Sequence, residues 1–226
     1  MLKEFFNILK SDGLFEQALN ECHEMLDIDL EMFKESVKSL RESDTTDINI
    51  DIYKMDKKIN SFERDVRRKI MTHLTVNPQQ DLSSGLALVS VVIDIERIGD
   101  YAKNIYDLAV QHPARLAGGN HEDALKEVED STIDFFNNSV RAFKEQDINL
   151  ARDLMKDYKV EISAKCSEIS NNIVSGKSND MSVSEATAVA LYARYLKRIS
   201  AHCRNLISSI VNPFERIGYP EKKGEK

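Results

Sequence analysis

Glu96 and Asp100 stand four residues apart, with Asn104 and Asp107 continuing the row. On a helix this spacing sets side chains on one face with Cβ atoms about 6 Å apart. Asp56, Asn60 and Glu63 make a comparable row some forty residues upstream. If two antiparallel helices carry these rows, Asp56, Glu63, Glu96 and Asp100 converge. Four carboxylates in one place repel each other unless cations bind or protons neutralise them. An all-oxygen donor set suits magnesium, calcium, manganese or iron. A second reading stays open, in which Glu96 pairs with Arg97, Asp100 meets Lys103 and the row is a solvated face. Upstream of Glu96 the same stripe is apolar through Leu82, Leu86, Val89 and Ile93. The carboxylates therefore fall where the periodicity expects core. Gly99 lies between them, at a cost of about 1 kcal/mol relative to Ala in mid-helix; close helix approach is the usual reason.

The chain is written twice. Asp56, Glu96, Arg97, Ile98, Asn104 and Ile105 recur as Asp157, Lys197, Arg198, Ile199, Asn205 and Leu206, and the segment from Ser36 to Asp44 is echoed from Ser139 to Asp147. A repeat of this length is one supersecondary unit copied in tandem. The copies differ where the chemistry would lie, because Glu96, Gly99 and Asp100 become Lys197, Ser200 and Ala201. Lys197 can neutralise Asp157 and Glu161 directly, so a cation site is expected in the first copy and not in the second.

The elements that must hold these residues are helices. Apolar residues at period 3.6 predict helices over about 14–40, with Phe15, Leu19, Cys22, Leu26, Leu30, Phe33, Val37 and Leu40 on one stripe, and over about 50–74, through Ile52, Met55, Ile59, Phe62, Val66 and Ile70. Asn77-Pro78 closes the second, and a third is expected over about 79–110. Gln111-His112-Pro113 and Gly118-Gly119-Asn120 form the clearest linker. The plan then repeats over about 122–144, 150–173 and 182–211. Long helices joined by short loops pack antiparallel, so the expected fold is all-α: two tandem three-helix bundles over 1–112 and 120–213, with a charged tail over 214–226. Residues 1–12 add Leu2, Phe5, Phe6, Ile8 and Leu9, enough apolar surface to dock on a neighbour or cover a bundle end.

The formal net charge of −7 argues against nucleic acid as a partner, since phosphate neutralisation needs a basic face. Arg64, Arg67, Arg68 and Lys69 cluster, but with Glu63 and Asp65 among them they read as a solvated face. Three cysteines, Cys22, Cys166 and Cys203, show no CxxC spacing, which fits buried thiols in a reducing cytoplasm. Neither an export signal nor an 18-residue uncharged run is present. A carboxylate-bridged di-iron enzyme would need Glu-x-x-His, which occurs at none of the five histidines. His202 is expected at the bundle flank, and no enzyme activity is read from the chain.

The run from Asp94 to Ile105, DIERIGDYAKNI, preceded by Met55-Asp56-Lys57-Lys58-Ile59-Asn60, resembles the signature of PhoU-domain proteins. The resemblance covers about 200 residues, strong in the first half and degenerate in the second. It implies E/DxxxD motifs able to hold multinuclear clusters of iron or zinc, with Glu96 and Asp100 as the motif residues and Asp56 and Glu63 facing them. It also implies a cytoplasmic regulator of phosphate homeostasis that restrains phosphate uptake and the starvation response by contacting a phosphate transporter and a sensor kinase. A metal-free helical adaptor with the same fold remains the alternative. A homodimer is expected from amphipathic bundles of this kind. The lead over residues 1–12 is similar to that of members linked to inorganic-phosphate transporters.

Overall fold

The computed structural model describes residues 13–76, 81–112, 114–178 and 180–221, apart from the side chains at 157 and 159–161. The apolar lead over residues 1–12, the Asn77-Pro78 stop and the end of the charged tail lie outside the described residues. The fold is all-α, two tandem three-helix bundles. The first bundle comprises α1 (Leu14–Arg41), α2 (Ile52–Val76) and α3 (Leu82–Gln111). The second comprises α4 (Glu122–Glu145), a helix interrupted into α5 (Ile148–Tyr158) and α6 (Lys165–Val174), and α7 (Val183–Val211).

Helix starts and stops follow local chemistry. Ser182 caps α7 through a capping box: its Oγ accepts from the Glu185 N–H at 3.2 Å while the Glu185 carboxylate accepts from the Ser182 N–H at 2.8 Å. Gln146 ends α4 in the left-handed region at φ 53°. The interruption corrects the expectation of one continuous helix over 150–173. Lys159–Ala164 form a π turn, an i→i+5 widening that no residue type announces.

On α1 and α2 the core is the expected one. Cys22, Leu26, Phe33 and Leu40 of α1 and Ile52, Ile59, Val66 and Ile70 of α2 are buried, with Met55 and Phe62 packed at their edge. The stripe of α3 is different from the expected one. Its buried face runs through Leu88, Val91, Val92, Ile95, Ile98, Ala102 and Ile105, whereas Leu82, Leu86 and Ile93 are exposed. The helix carries apolar residues on two stripes, and the period alone does not say which one meets its neighbours. Glu96 and Asp100 therefore continue a surface stripe rather than replace core.

The bundles meet chiefly through α3 against α7, with α1 against α4 beside them. Corresponding helices face each other, and so do corresponding residues. Phe33 and Phe136, at the 103-residue offset of the repeat, have ring centroids 6.0 Å apart. Tyr101 and His202, at the 101-residue offset, stack at 5.8 Å. A local two-fold axis thus passes between the repeats. The linker is pinned across this junction: the Leu116 N–H donates to the Leu40 carbonyl at 2.7 Å, and Arg41 donates to the Leu116 carbonyl and to the carboxylates of Glu122 and Glu129. Among the described residues no helix is long and apolar enough to cross a membrane.

Candidate cation site

The acidic rows meet at the α2–α3 seam. Asp56 and Glu63 project from α2 and Glu96 and Asp100 from α3, with side chains between 12% and 25% exposed. Burial pushes the Glu96 carboxyl above the usual carboxylate range, and next the charges of Asp100, Glu63 and Asp56 do the same against the opposing pull of Arg97. The four residues named from spacing are therefore brought into one electrostatic neighbourhood.

Three cations hold this neighbourhood together. Lys103 Nζ bridges the helices, donating to Asp56 Oδ1 at 2.6 Å and to Asp100 Oδ1 at 3.3 Å. Arg97 Nη1 lies 2.7 Å from Asp100 Oδ2, with its Nε 3.5 Å from Glu96, and Arg67 lies 3.0 Å from Glu63. Asn60 donates to Asp56, through its backbone carbonyl at 3.0 Å and its carboxylate at 3.4 Å. The pairs of the second reading are formed, Arg97 with Glu96 and Asp100 and Lys103 with Asp100. Among the described residues no three His, Cys, Asp or Glu side chains are placed so that they could hold one metal ion. The neighbouring basic cluster is paired too, Arg68 with Asp65 and Lys69 with Glu21.

A fifth carboxyl escaped the sequence reading. Asp29 of α1 is fully buried, and neither of its oxygens has a hydrogen-bond partner. It lies beneath Gly99, where an added Cβ would stand 2.6 Å from Asp29 Oδ1 and 2.9 Å from Ile59 Cδ1. This explains the mid-helix glycine: α3 passes directly over the Asp29 carboxyl. Burial first, then the charges of Glu96, Asp56 and Asp100, push Asp29 well above the carboxylate range. A signal was available, because Asp29 follows Cys22, Met25 and Leu26 at helical spacing and precedes Met32 and Phe33, all buried.

The second repeat has different chemistry at the equivalent place. Thr132 and Ser200 stand where the first repeat has Asp29 and Gly99, and their hydroxyls are 3.4 Å apart. Lys197, in the place of Glu96, donates to Ser167 Oγ at 2.6 Å. Its expected pairing with Asp157 and Glu161 lies outside the described residues. His202, expected at the bundle flank, is instead buried between the repeats. Its Nδ1 is 2.7 Å from Asp94 Oδ1, which also accepts from Asn205 at 2.9 Å, and Arg198 Nη2 lies 3.2 Å from its Nε2. Cys22, Cys166 and Cys203 are buried free thiols, and burial raises all three, Cys166 to about 12, which leaves little thiolate for chemistry.

Comparison with known proteins matches both halves of this arrangement. The PhoU domain family matches residues 22–109 and again 125–210. The "Phosphate-specific transport system accessory protein PhoU homolog" of Clostridium acetobutylicum is 24% identical over 208 residues, 88% of this chain and 93% of that protein. The "PhoU homolog 1" of the same description from Thermotoga maritima is 24% identical over 205 residues, 87% of each. The crystal structure of PhoU from Pseudomonas aeruginosa superposes with a TM-score of 0.77 at 18% identity, covering 88% of this chain and 96% of that one. The Streptococcus pneumoniae PhoU structure, titled a phosphate transport system regulatory protein, gives 0.65 at 17% identity over 91% and 94%.

Proposed function

The chain belongs to the PhoU-domain family, and we propose that it is an accessory regulator of a phosphate transport system, acting by protein–protein contact in the cytoplasm. The carrying observation is the double family match across both repeats, shared along nearly their whole length with relatives named as accessory proteins of such systems. The transporter, a sensor kinase or both are the partners, and the working form is a homodimer. Deleting the gene should raise phosphate uptake under replete conditions, and restoring the wild-type chain should lower it again. Unchanged uptake would refute the reading.

The finer part of the proposal is a metal centre on the first repeat. The donor chemistry suits such a group once the acids draw together: carboxylates come from two helices, Glu96 is held toward its neutral form by burial and by its acidic neighbours, and the fully buried Asp29 beneath them has no hydrogen-bond partner. Asp56, Glu63, Glu96 and Asp100 would hold it. Iron fits an all-oxygen set well, with zinc, manganese, magnesium and calcium as the other candidates. A bound cation would supply the positive charge that lets these carboxylates share one site. Lys103 and Arg97 perform that task in the described geometry. Binding therefore requires Lys103 to leave Asp56 and Asp100 and Arg97 to leave Asp100, which frees an ammonium and a guanidinium on α3. The surface offered to a partner then depends on whether the acids are held by side chains or by an ion. The second repeat, with Lys197, Ser200 and Ala201, does not fit a metal.

Elemental analysis of chain purified without chelator or affinity nickel tests this part. Stoichiometric metal should be present in wild type and lost in the Glu96→Gln, Asp100→Asn double variant. Metal-free protein with intact control of uptake would leave a helical adaptor.

A further inference from the structure

A second concave site lies on the other repeat, where the helix interruption faces the carboxyl-terminal segment. The π turn and the end of α5 border a cavity of about 650 Å³ whose wall includes Arg152, Lys156 and Arg204, together with Met155, Tyr158 and Glu221. Three cationic side chains from two helices converge there. Arg204 lies 5.6 Å from the Tyr158 ring centroid and spends one N–H on the Gly218 carbonyl at 2.9 Å, while Lys156 also pairs with Asp153 at the rim. The first repeat has no counterpart to the widened turn, since α2 is a continuous helix. π turns of this kind concentrate at functional sites.

What fills the guanidinium is informative. Glu221 grips Arg152 through both carboxylate oxygens, at 2.6, 2.9 and 3.1 Å. That forked geometry is how arginine takes a carboxylate or a phosphate. The segment leading to Glu221 is anchored up to Pro220. Asn212 holds the Arg216 and Tyr219 carbonyls, Ser208 accepts from the Gly218 N–H at 2.7 Å, and Arg216 donates to the Pro220 carbonyl at 2.9 Å. Beyond that turn, the polar contact of Glu221 is with Arg152, and both side chains are partly solvent-exposed. A phosphate offers Arg152 the same forked geometry, so an anion entering from solvent competes directly with the Glu221 carboxylate.

We propose that this cavity binds a phosphorylated organic anion of nucleotide size, and that Glu221 is its internal competitor. A cavity of about 650 Å³ falls within the roughly 300–1,000 Å³ of small-molecule sites, far more than one inorganic phosphate occupies. Arg152, Lys156 and Arg204 receive the phosphates, and the faces of Tyr158, Met155 and Pro220 receive the apolar or ring portion. The net charge of −7 makes this local concentration of cations the more distinctive. Occupation would release the Glu221 carboxylate from Arg152, on the repeat opposite the acidic rows.

Isothermal titration of the full chain in metal-free buffer, with ATP, adenosine and inorganic phosphate as probes, tests the proposal. ATP should bind wild type, several-fold more tightly after Glu221→Ala, and more than tenfold more weakly after Arg152→Ala with Arg204→Ala. Should that double variant lose its helical circular dichroism, Arg152→Gln at its exposed position gives the same readout with the fold intact. Absence of ATP binding to Glu221→Ala, or affinity indifferent to Arg152, would overturn the site. Inorganic phosphate binding as tightly as ATP would overturn the size of the ligand.

Discussion

The Asp29 carboxyl occupies the space that a side chain on Gly99 would fill, with Oδ1 2.6 Å from the position of the missing Cβ. Gly99→Ala gains about 1 kcal/mol of helix propensity, but it overpacks a fully buried site, which typically costs about 1–3 kcal/mol. A net loss of stability is expected in urea denaturation. The second repeat suggests the remedy: Asp29→Thr with Gly99→Ser copies the Thr132–Ser200 pair. That double variant should be more stable than Gly99→Ser alone. Additive effects in the cycle would show that the two residues are not coupled.

Stability should fall with pH because of Asp29. Burial holds its proton in the folded chain well above the carboxylate range, whereas the unfolded chain releases it near pH 4. From about pH 4 upward the folded state binds more protons than the unfolded one, so each unit of pH removes up to about 1.4 kcal/mol until the folded value is passed. The raised Glu96 carboxyl acts in the same direction. Asp29→Asn removes the Asp29 share, so its stability relative to wild type should climb between pH 4.5 and 8 in chelator. A constant difference across that range would mean that Asp29 ionises normally. The amide's own burial is the same at every pH and does not affect the slope.

The legible parts of this fold are those that depend on local periodicity. The ends of α1, α4 and α7 fall within a residue or two of the bounds that apolar period and loop residues place over 14–40, 122–144 and 182–211. The repeat offsets of 101 and 103 residues mark equivalent positions, but that Tyr101 meets His202 and Phe33 meets Phe136 across the local axis is set by how the repeats dock. What periodicity does not carry is the choice between two apolar stripes on α3, decided by how α1, α2 and α7 pack on it. The π turn at Lys159–Ala164 has no signature in residue type. The acids of the candidate site were visible because they share helical faces. Asp29 was visible only as a polar residue on a core stripe, and the Asp94–His202 contact joins residues more than a hundred positions apart with no shared pattern.

Asp94 ties the repeats together. Its Oδ1 accepts from His202 and Asn205, both on α7, at 2.7 and 2.9 Å. Arg198 can only donate, so His202 Nε2 accepts from it and Nδ1 carries the proton. Asp94→Ala leaves two largely buried donors without their acceptor, a loss of about 1–3 kcal/mol. Asp94→Asn retains one carbonyl oxygen and should cost less. Denaturation midpoints of the two variants check the order. Equal midpoints for Ala and wild type would show that the contact contributes nothing.

Lys103 and a cation compete for the same carboxylates. Its ammonium lies 2.6 Å from Asp56 and 3.3 Å from Asp100, and an ion on those oxygens must displace it. Lys103→Met keeps the aliphatic stem over the seam and removes the competing charge, leaving Asp56 and Asp100 facing each other with less compensation. In apo protein this should lower stability by up to about 1 kcal/mol, the scale of a part-exposed pair. Manganese or iron affinity, read by titration calorimetry, should rise several-fold, and the stability loss should reverse on adding metal, since a ligand that binds only the folded chain stabilises it. A variant that binds metal more weakly than wild type would reverse the assignment, making Lys103 the brace that holds the acids in position rather than the group that an ion replaces.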